Sequence, residues 1–458
     1  MTFVQNKPCG FMRFIAGAGA ILPVLYLVWA LPFVVVLVWT IPPWSNPDEP
    51  QHMLRVVELA NGELLGHRDG PHDAGGISNA AVYDAARPLE EINHHPERKV
   101  SASILKSSED IGWRKTLAFT DFSGAAPYPP FLYAPAILAD VVGEHVGLSV
   151  DGSLRFARLM TAIMAVLLSA LAIAVAGRTK YVLAALAMLP MTCSLYASVG
   201  QDAMMIALTF LAVAWIDRII CANRVVSLGE LAGLSVMLML VALGRPPYVA
   251  FALLPLLMPG RAWLGRVAAC LAIVAGIVLW SVIAGLTVLV PQNLADPHLQ
   301  ILYLAAKPWR VFHVVIGTFQ YGWLELVDEF IGELGWLDVP LPGWYIHLAF
   351  DILIFAFAAA ARGPSRWPWI PAISYAGAVL LVLAAEYLSW AQPGSAFAYG
   401  VQGRYFIPAA AVLGLGIPAF ERIGALAEPI AVLGIIVLGA VTPAVAVYAL
   451  AMRYYLGP

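Results

Sequence analysis

Uninterrupted apolar runs of about twenty residues dominate the chain, and they restrict its fold more than any other feature. A helix of that length crosses a bilayer, and in lipid only helices and closed barrels satisfy their own backbone hydrogen bonds. Barrel strands alternate apolar and polar residues, which these runs do not. Charged residues make up 12% of the chain, against about 25% in soluble domains. The sequence therefore predicts an all-α integral membrane protein.

The basic residues predict how the runs cross the membrane. Lys7 and Arg13 precede the first run, which is too long for the apolar part of a signal peptide and is interpreted as an uncleaved span. The positive-inside rule then places the N-terminus in the cytoplasm, and about eleven spans put every short basic loop on that side. The predicted spans are 15–41, 154–176, 181–199, 203–216, 228–243, 247–258, 267–290, 343–361, 369–390, 405–420 and 430–452. If 228–243 and 247–258 instead form one kinked helix, the predicted direction in which every later span crosses the membrane is reversed.

Polar residues are concentrated between the first two spans. Residues 42–151 hold 16 of the 29 acidic residues and six of the nine histidines. Within this window, residues 51–65 have helical apolar spacing and predict an amphipathic helix on the membrane surface. Residues 128–147 offer an uninterrupted run of only about 12 residues, against roughly 20 for a span, and predict a re-entrant or interfacial helix. If they did span, every short basic loop would move to the outer side. The predicted regions are a tail with the first helix (1–41), a large outer loop carrying these juxtamembrane helices (42–153), and a bundle (154–458) with a second outer loop (291–342).

Several classes of partner and site have no support in the sequence. The net charge of −3 gives no electrostatic basis for binding nucleic acid. The four cysteines are scattered and indicate neither a disulfide framework nor a zinc site. The cluster His94-His95-Pro96-Glu97 lacks the spacing that a metal demands.

The predicted topology brings the unusual polar motifs to the outer face. A carboxylate there could deprotonate a hydroxyl group, and an arginine could hold the phosphate of a lipid-linked substrate. Simpler roles also fit: Asp48 and Glu49 could cap the helix that follows, Asp202 could cap its own helix, and Arg404 could anchor the chain at the interface. The acidic stretch 325–333 is interpreted as a solvated face.

An ordered set of short motifs resembles a bacterial membrane-protein family, domain-of-unknown-function family 2142, from about residue 40 to 415. The motifs are Asn46-Pro47-Asp48-Glu49-Pro50-Gln51-His52, Tyr128-Pro129-Pro130-Phe131-Leu132-Tyr133, Arg155-Phe156-Ala157-Arg158-Leu159, Leu189-Pro190-Met191, Ser198-Val199-Gly200-Gln201-Asp202-Ala203, Arg245-Pro246-Pro247-Tyr248, Gly335-Trp336-Leu337-Asp338 and Gly400-Val401-Gln402-Gly403-Arg404-Tyr405. That family in turn resembles the GT-C superfamily of membrane glycosyltransferases, which use polyprenyl-phosphate sugars on the outer face of the membrane.

The resemblance implies a GT-C-like helical bundle in the bacterial inner membrane. It implies transfer of a sugar, with inversion, from a polyprenyl-phosphate donor to a glycan or glycolipid acceptor of the cell envelope. The expected catalytic residues are Asp48, as general base, with Glu49 and Asp202. The expected substrate-binding residues are His52, Arg245, Tyr248, Gln402, Arg404 and Tyr405. No cofactor is required, although the three acids could hold Mg²⁺ or Mn²⁺.

Two other functions stay open. A transporter or flippase of lipid-linked glycans would place ionisable groups in mid-membrane and often shows internal repeats. Here the acids crowd in an outer loop, and no repeat at a fixed spacing is found. A non-catalytic partner in envelope polysaccharide assembly is the second alternative, against which the intact Asp48-Glu49 pair argues.

Overall fold

The computed structural model describes residues 10–260, 263–291 and 295–457, and most of them are helical. The helices are α1 (Gly10–Thr40), α2 (Glu49–Ala60), α3 (Ala81–Glu90), α4 (Ala102–Glu109), α5 (Ala134–His145), α6 (Val150–Val175), α7 (Lys180–Ala187), α8 (Pro190–Tyr196), α9 (Gln201–Ala222), α10 (Leu228–Gly244), α11 (Trp263–Thr287), α12 (Pro297–Ala306), α13 (Arg310–Ile331), α14 (Gly343–Ala359), α15 (Trp369–Ser389), α16 (Ile407–Leu415) and α17 (Glu421–Tyr454). Four 3₁₀ helices span Pro130–Tyr133, Pro246–Leu257, Ala360–Arg362 and Gly403–Phe406. The strands are β1 (His67–Arg68), β2 (Ala74–Ser78), β3 (Ala118–Asp121), β4 (Glu333–Leu334) and β5 (Val339–Pro340).

Seven helices in the described residues are long and apolar enough to cross a membrane: α1, α6, α9, α11, α14, α15 and α17. The prediction of a helical protein with several membrane spans is therefore confirmed. The other four predicted spans are shorter or interrupted helices: α7 with α8, α10, the 3₁₀ helix Pro246–Leu257, and Gly403–Leu415. The count of eleven stays a prediction.

The predicted span 181–199 is two helices with a break before Pro190. Leu189 has extended backbone angles (φ −61°, ψ 139°), and Pro190 begins the next helix. Proline disfavours a helical conformation in the residue before it, which explains the break.

Residues 228–258 form two segments that run in opposite directions. The chain turns at Arg245, whose side chain binds Asp202. Arg266, at the start of α11, donates to the Leu256 carbonyl at 2.9 Å, whereas the last turn of α11 is bound by Arg68 of the first loop. Because the 25-residue α11 separates these two contacts, Leu256 lies at the opposite end of the bundle from the first loop. The structure thus favours two segments over a single kinked helix, and the directions of the spans in the membrane stay a prediction.

The bundle has two distinct ends. The loop end carries the first loop, to which the last turn of α17 is tied: Lys99 donates to the carbonyls of Met452 and Arg453 at 2.8 and 3.0 Å. At the other end, called the basic end here, Arg178 donates to three carbonyls of two other turns at 2.6–3.1 Å. The acceptors are Ala360, Leu415 and Ile417. Several of the short basic loops therefore lie together, as the predicted topology requires.

The first loop is a packed unit, and one expectation for it is wrong. Helix α2 overlaps the predicted helical stretch 51–65, but ten of its twelve residues are buried in the protein, so it has no exposed apolar face to lay on a membrane. It packs between α5 and the antiparallel sheet β1-β2-β3, in which Gly75 pairs with Asp121. The expected short helix in 128–147 is present as α5, which packs along α6.

The second outer loop also differs from expectation. Within 291–342 the chain forms α12, α13 and the β4-β5 hairpin. The acidic stretch 325–333 lies on the end of α13, and Glu329 is only 5% exposed there, so the stretch is not simply a solvated face.

Candidate functional site

Four charged residues meet where the first loop joins the bundle. Asp202 is central: its Oδ1 accepts from Arg245 Nη2 at 3.2 Å and its Oδ2 from Arg404 Nη1 at 3.4 Å. Arg404 Nη2 lies 3.8 Å from Asp48 Oδ2, and Arg404 Nε donates to Gln402 Oε1 at 2.6 Å. We call Asp48, Asp202, Arg245 and Arg404 the arginine–carboxylate cluster. Motifs predicted to share one face thus come together in space.

Asp202 does not cap its helix. The N-cap position of α9 is Gly200, and Asp202 lies in the first turn with a side chain that is about 11% exposed. Both of its oxygens are occupied by guanidinium groups. The residue therefore holds two arginines side by side, which would otherwise repel each other.

The two arginines are buried against an aromatic ring. The guanidinium carbon of Arg245 lies 3.6 Å from the ring centroid of Tyr405, and that of Arg404 lies 5.3 Å from it. Arg404 is 7% exposed, so it is not an interfacial anchor reaching for solvent. The buried Nε of Arg245 has no partner among the described residues. One N–H donor of the cluster is therefore left unsatisfied inside the protein.

Asp48 presents a free carboxylate to this cluster. It stands at the N-cap position of α2, yet its side chain makes no capping hydrogen bond and is 51% exposed. Its backbone is left-handed (φ 57°), a conformation that costs a non-glycine residue about 1 kcal/mol or more. Backbone strain of this kind persists only where the surrounding structure imposes it, and here it directs the carboxylate towards Arg404.

Glu49 points away from Asp48 and is completely buried. Its carboxylate forms an ion pair with Arg158, whose Nε donates to Glu49 Oε1 at 2.8 Å. The same oxygen accepts from the backbone N–H of Val199 at 3.1 Å. Arg158 also donates to the carbonyls of Ile41 and Pro42, both at 2.9 Å. The pair of Glu49 and Arg158 thus ties together the end of α1, the third turn of α6 and the turn before α9.

His52 lies beside the cluster in an aromatic pocket. Its Nδ1 is 2.7 Å from the hydroxyl of Tyr133, and its ring stacks on Tyr128 at 5.8 Å between centroids. Burial lowers the pKa of His52, so the imidazole is neutral at neutral pH. The residue can then donate or accept a hydrogen bond without adding charge.

Tyr248 braces the turn that carries Arg404. It is fully buried, and its hydroxyl donates to the Tyr405 carbonyl at 2.5 Å. On the other side of the turn, Gly403 N–H donates to Glu329 Oε2 at 2.5 Å. A Cβ added to Gly403 would lie 1.9 Å from the Leu326 carbonyl oxygen, so only glycine allows this approach to α13.

An apolar groove of about 430 Å³ begins next to this turn. Side chains from α13, α14, α15 and α16 form its walls, among them Leu326 and Phe330 beside Gly403, and Phe406 just after Arg404. The groove is almost entirely apolar. A hydrocarbon chain lying in it could keep a phosphate at its end near the arginine–carboxylate cluster.

The three predicted acids do not form a cation site in this arrangement. Both oxygens of Glu49 are bound by Arg158, and both oxygens of Asp202 by arginines, which leaves only Asp48. Among the described residues no group of three or more His, Cys, Asp or Glu side chains could hold a metal.

Sequence reasoning missed three residues that shape the site: Arg158, Glu329 and Tyr133. Arg158 had a recognisable signal, since a charge inside an apolar run is costly and requires a partner. Glu329 had none, because its partner is a backbone amide 74 residues away.

Comparison with known proteins identifies the family but no characterised relative. Neither the search of curated proteins nor that of solved structures gave a match. The sequence model of the family described as predicted membrane protein (DUF2142) matches residues 31–413, which is most of the chain. The chain therefore belongs to this family of predicted membrane proteins.

Proposed function

We propose that this protein is a GT-C-type glycosyltransferase that takes a sugar from a polyprenyl-phosphate donor and passes it to a hydroxyl group of a cell-envelope glycan or glycolipid. One observation carries the proposal. A half-exposed carboxylate, Asp48, and two buried arginines, Arg245 and Arg404, meet at a turn whose next aromatic residue, Phe406, lines an apolar groove. A lipid-linked phosphosugar needs all three parts: an apolar site for its tail, cations for its phosphate and a base for the acceptor.

The donor phosphate would bind Arg245 and Arg404. Guanidinium groups remain charged at any pH of interest and bind phosphate oxygens in pairs of hydrogen bonds. The unpartnered Nε of Arg245 supplies one donor directly. The polyprenyl tail would extend from there past Phe406 into the groove.

Asp48 would act as the general base. The acceptor oxygen attacks the anomeric carbon, the bond between that carbon and the phosphate oxygen breaks, and the hydroxyl proton passes to Asp48. Polyprenyl phosphate leaves with the bonding electrons, and the arginines hold it. Glu49 is unsuited to this task, because Arg158 occupies both of its oxygens and it has no exposed surface.

The proposed location is the bacterial inner membrane, with the loop end outside. The short basic loops at the opposite end then face the cytoplasm, as the positive-inside rule requires. In this orientation the site under the first loop lies at the outer face, where a polyprenyl-phosphate sugar would be presented to it.

The test is a profile of lipid-linked sugars in membranes that contain the wild type, an Asp48→Asn form or no protein. We expect a polyprenyl-phosphate sugar to accumulate equally in the last two, while an envelope glycan loses one residue. A complete lipid-linked glycan stranded on the inner leaflet, with Asp48→Asn behaving as wild type, would instead support a transporter.

A binding experiment separates the contribution of the donor's phosphate from that of its polyprenyl tail. The purified protein is offered polyprenyl phosphate or the matching polyprenol, which lacks the phosphate. We expect wild type to prefer the phosphate and Arg404→Gln to lose most of that preference. Equal preference in the two proteins would remove Arg404 from the site.

A further inference from the structure

The basic end of the bundle carries a second cationic site, far from the arginine–carboxylate cluster. Arg266 and Arg366 approach the same indole: their guanidinium carbons lie 5.6 and 4.8 Å from the ring centroid of Trp367. Trp263 lies 5.3 Å from Arg266, and Trp369 stacks on Trp367 at 6.5 Å. We call these five residues the Trp–Arg cluster.

The two positive charges in the cluster lack a counter-charge. In the part of the chain that the structure describes, neither arginine has a carboxylate within 4.0 Å. Arg266 is 8% exposed and uses Nη1 to bind the Leu256 carbonyl, but its buried Nε has no partner there. The Nε of Arg366 is likewise buried and unpartnered among those residues. Two cations held together with spare donors form a site for an anion.

The aromatic residues indicate where that anion comes from. Trp263, Trp367 and Trp369 are 54%, 37% and 58% exposed, so their indoles face outward at the end of the bundle. Tryptophan prefers the level of lipid head groups, where its ring is apolar and its N–H is polar. Basic pockets between helices at this level bind anionic phospholipid head groups.

We propose that the Trp–Arg cluster binds the phosphate of an anionic phospholipid in the leaflet that meets the basic end. The guanidinium groups would hold the phosphate, and the exposed indoles would pack on the glycerol and upper acyl chains. The proposal does not depend on sugar transfer, because the cluster lies at the opposite end of the bundle from Asp48.

The test measures retained lipid in the purified full-length protein by native mass spectrometry after exchange into nanodiscs. The probes are phosphatidylglycerol and phosphatidylcholine, with inorganic phosphate as a separate addition. We expect wild type to retain phosphatidylglycerol selectively. Arg266→Gln with Arg366→Gln should weaken that retention by about thirtyfold. Each basic residue near the membrane surface contributes about 1 kcal/mol to the binding of anionic lipid, and 1.4 kcal/mol corresponds to a factor of about ten.

A charge-matched control is available at the same end. Arg218→Gln with Arg422→Gln removes two exposed arginines and should leave retention unchanged. If the first double variant does not fold, Arg366→Gln alone serves, because that residue is only half-buried. Equal retention of both lipids by wild type, equal loss in the control, or displacement of the lipid by inorganic phosphate would each overturn the proposal.

Discussion

Replacing Glu49 by glutamine separates a structural role from a catalytic one. Glu49 and Arg158 both have fully buried side chains and face each other in one ion pair. Removing one partner of such a pair leaves an uncompensated buried charge and costs about 3–5 kcal/mol. We therefore expect Glu49→Gln to lower the free energy of unfolding by about that amount.

The geometry also ranks the variants. Arg158→Met should cost more than Glu49→Gln, because the carbonyls of Ile41 and Pro42 lose their donors as well, at about 1–3 kcal/mol for each unsatisfied group. The double variant should cost less than the two single changes combined, with a coupling energy of up to about 3 kcal/mol. Asp48→Asn is the matched control, since Asp48 is half-exposed and caps nothing.

Two measurements are made on each variant: the free energy of reversible unfolding in mixed detergent, and the rate of sugar transfer per folded molecule. We expect Glu49→Gln to unfold more easily while its folded fraction keeps most of the activity. The reasoning is refuted if Glu49→Gln changes the free energy of unfolding by less than about 0.5 kcal/mol, as substitutions at a surface usually do, and yet abolishes sugar transfer. That result would show that the Glu49 carboxylate takes part in the chemistry.

Three further predictions use the same purified protein. Asp48→Asn should reduce transfer by about 10²–10⁴-fold, the usual contribution of a general base, with an unchanged unfolding curve; full activity would exclude Asp48 as the base. Burial raises the pKa of Glu329 from 4.5 to about 7, so the protonated form is favoured in the folded state and stability should fall as the pH rises between those values. Glu329→Gln should reduce this slope, whereas exposed Glu421→Gln should not, and an unchanged slope would show that Glu329 titrates normally. A cysteine at exposed Ser107 in the first loop should react with an impermeant thiol reagent applied from outside intact cells, and one at Gly229 should not; the reverse pattern would invert the topology.

The sequence predicted best what depends on local pattern. Long apolar runs become helices regardless of their neighbours, and Pro42-Pro43 ends the first run close to where α1 ends at Thr40. That Asp48, Asp202 and Arg404 lie at one end of the bundle followed from the alternation of the spans, which brings every second connection to the same end. The interruption before Pro190 could have been read from that residue, since proline restricts the residue before it.

Pairing between distant residues was beyond such reasoning. Adjacent in sequence, Asp48 and Glu49 were predicted to act together, yet the left-handed backbone of Asp48 sends the two side chains in different directions. The sequence does not reveal the partners that lie in these two directions: Arg158, from another helix, binds Glu49, whereas Arg404 lies beside Asp48. The burial of α2 was missed for a similar reason. Its charged residues Arg55 and Glu58 form an ion pair inside the protein, but in the sequence alone they look like residues of a solvent-exposed helix face.

The charges of the cluster suggest how binding and catalysis would be linked. Asp202 neutralises part of the charge of Arg245 and Arg404, so the site attracts a donor phosphate, which carries a single negative charge as a diester, only moderately. Transfer turns that diester into a monoester with about −1.5 to −2 charge at neutral pH. The unpartnered Nε of Arg245 can then bind the oxygen that gains charge, so the interaction strengthens as the bond to the sugar breaks. An interaction that grows in the transition state accelerates the reaction, whereas equally tight binding of the donor would not. On this argument Asp202 keeps the two cations adjacent and limits their attraction for the donor, so that binding becomes strong only when the leaving group gains charge.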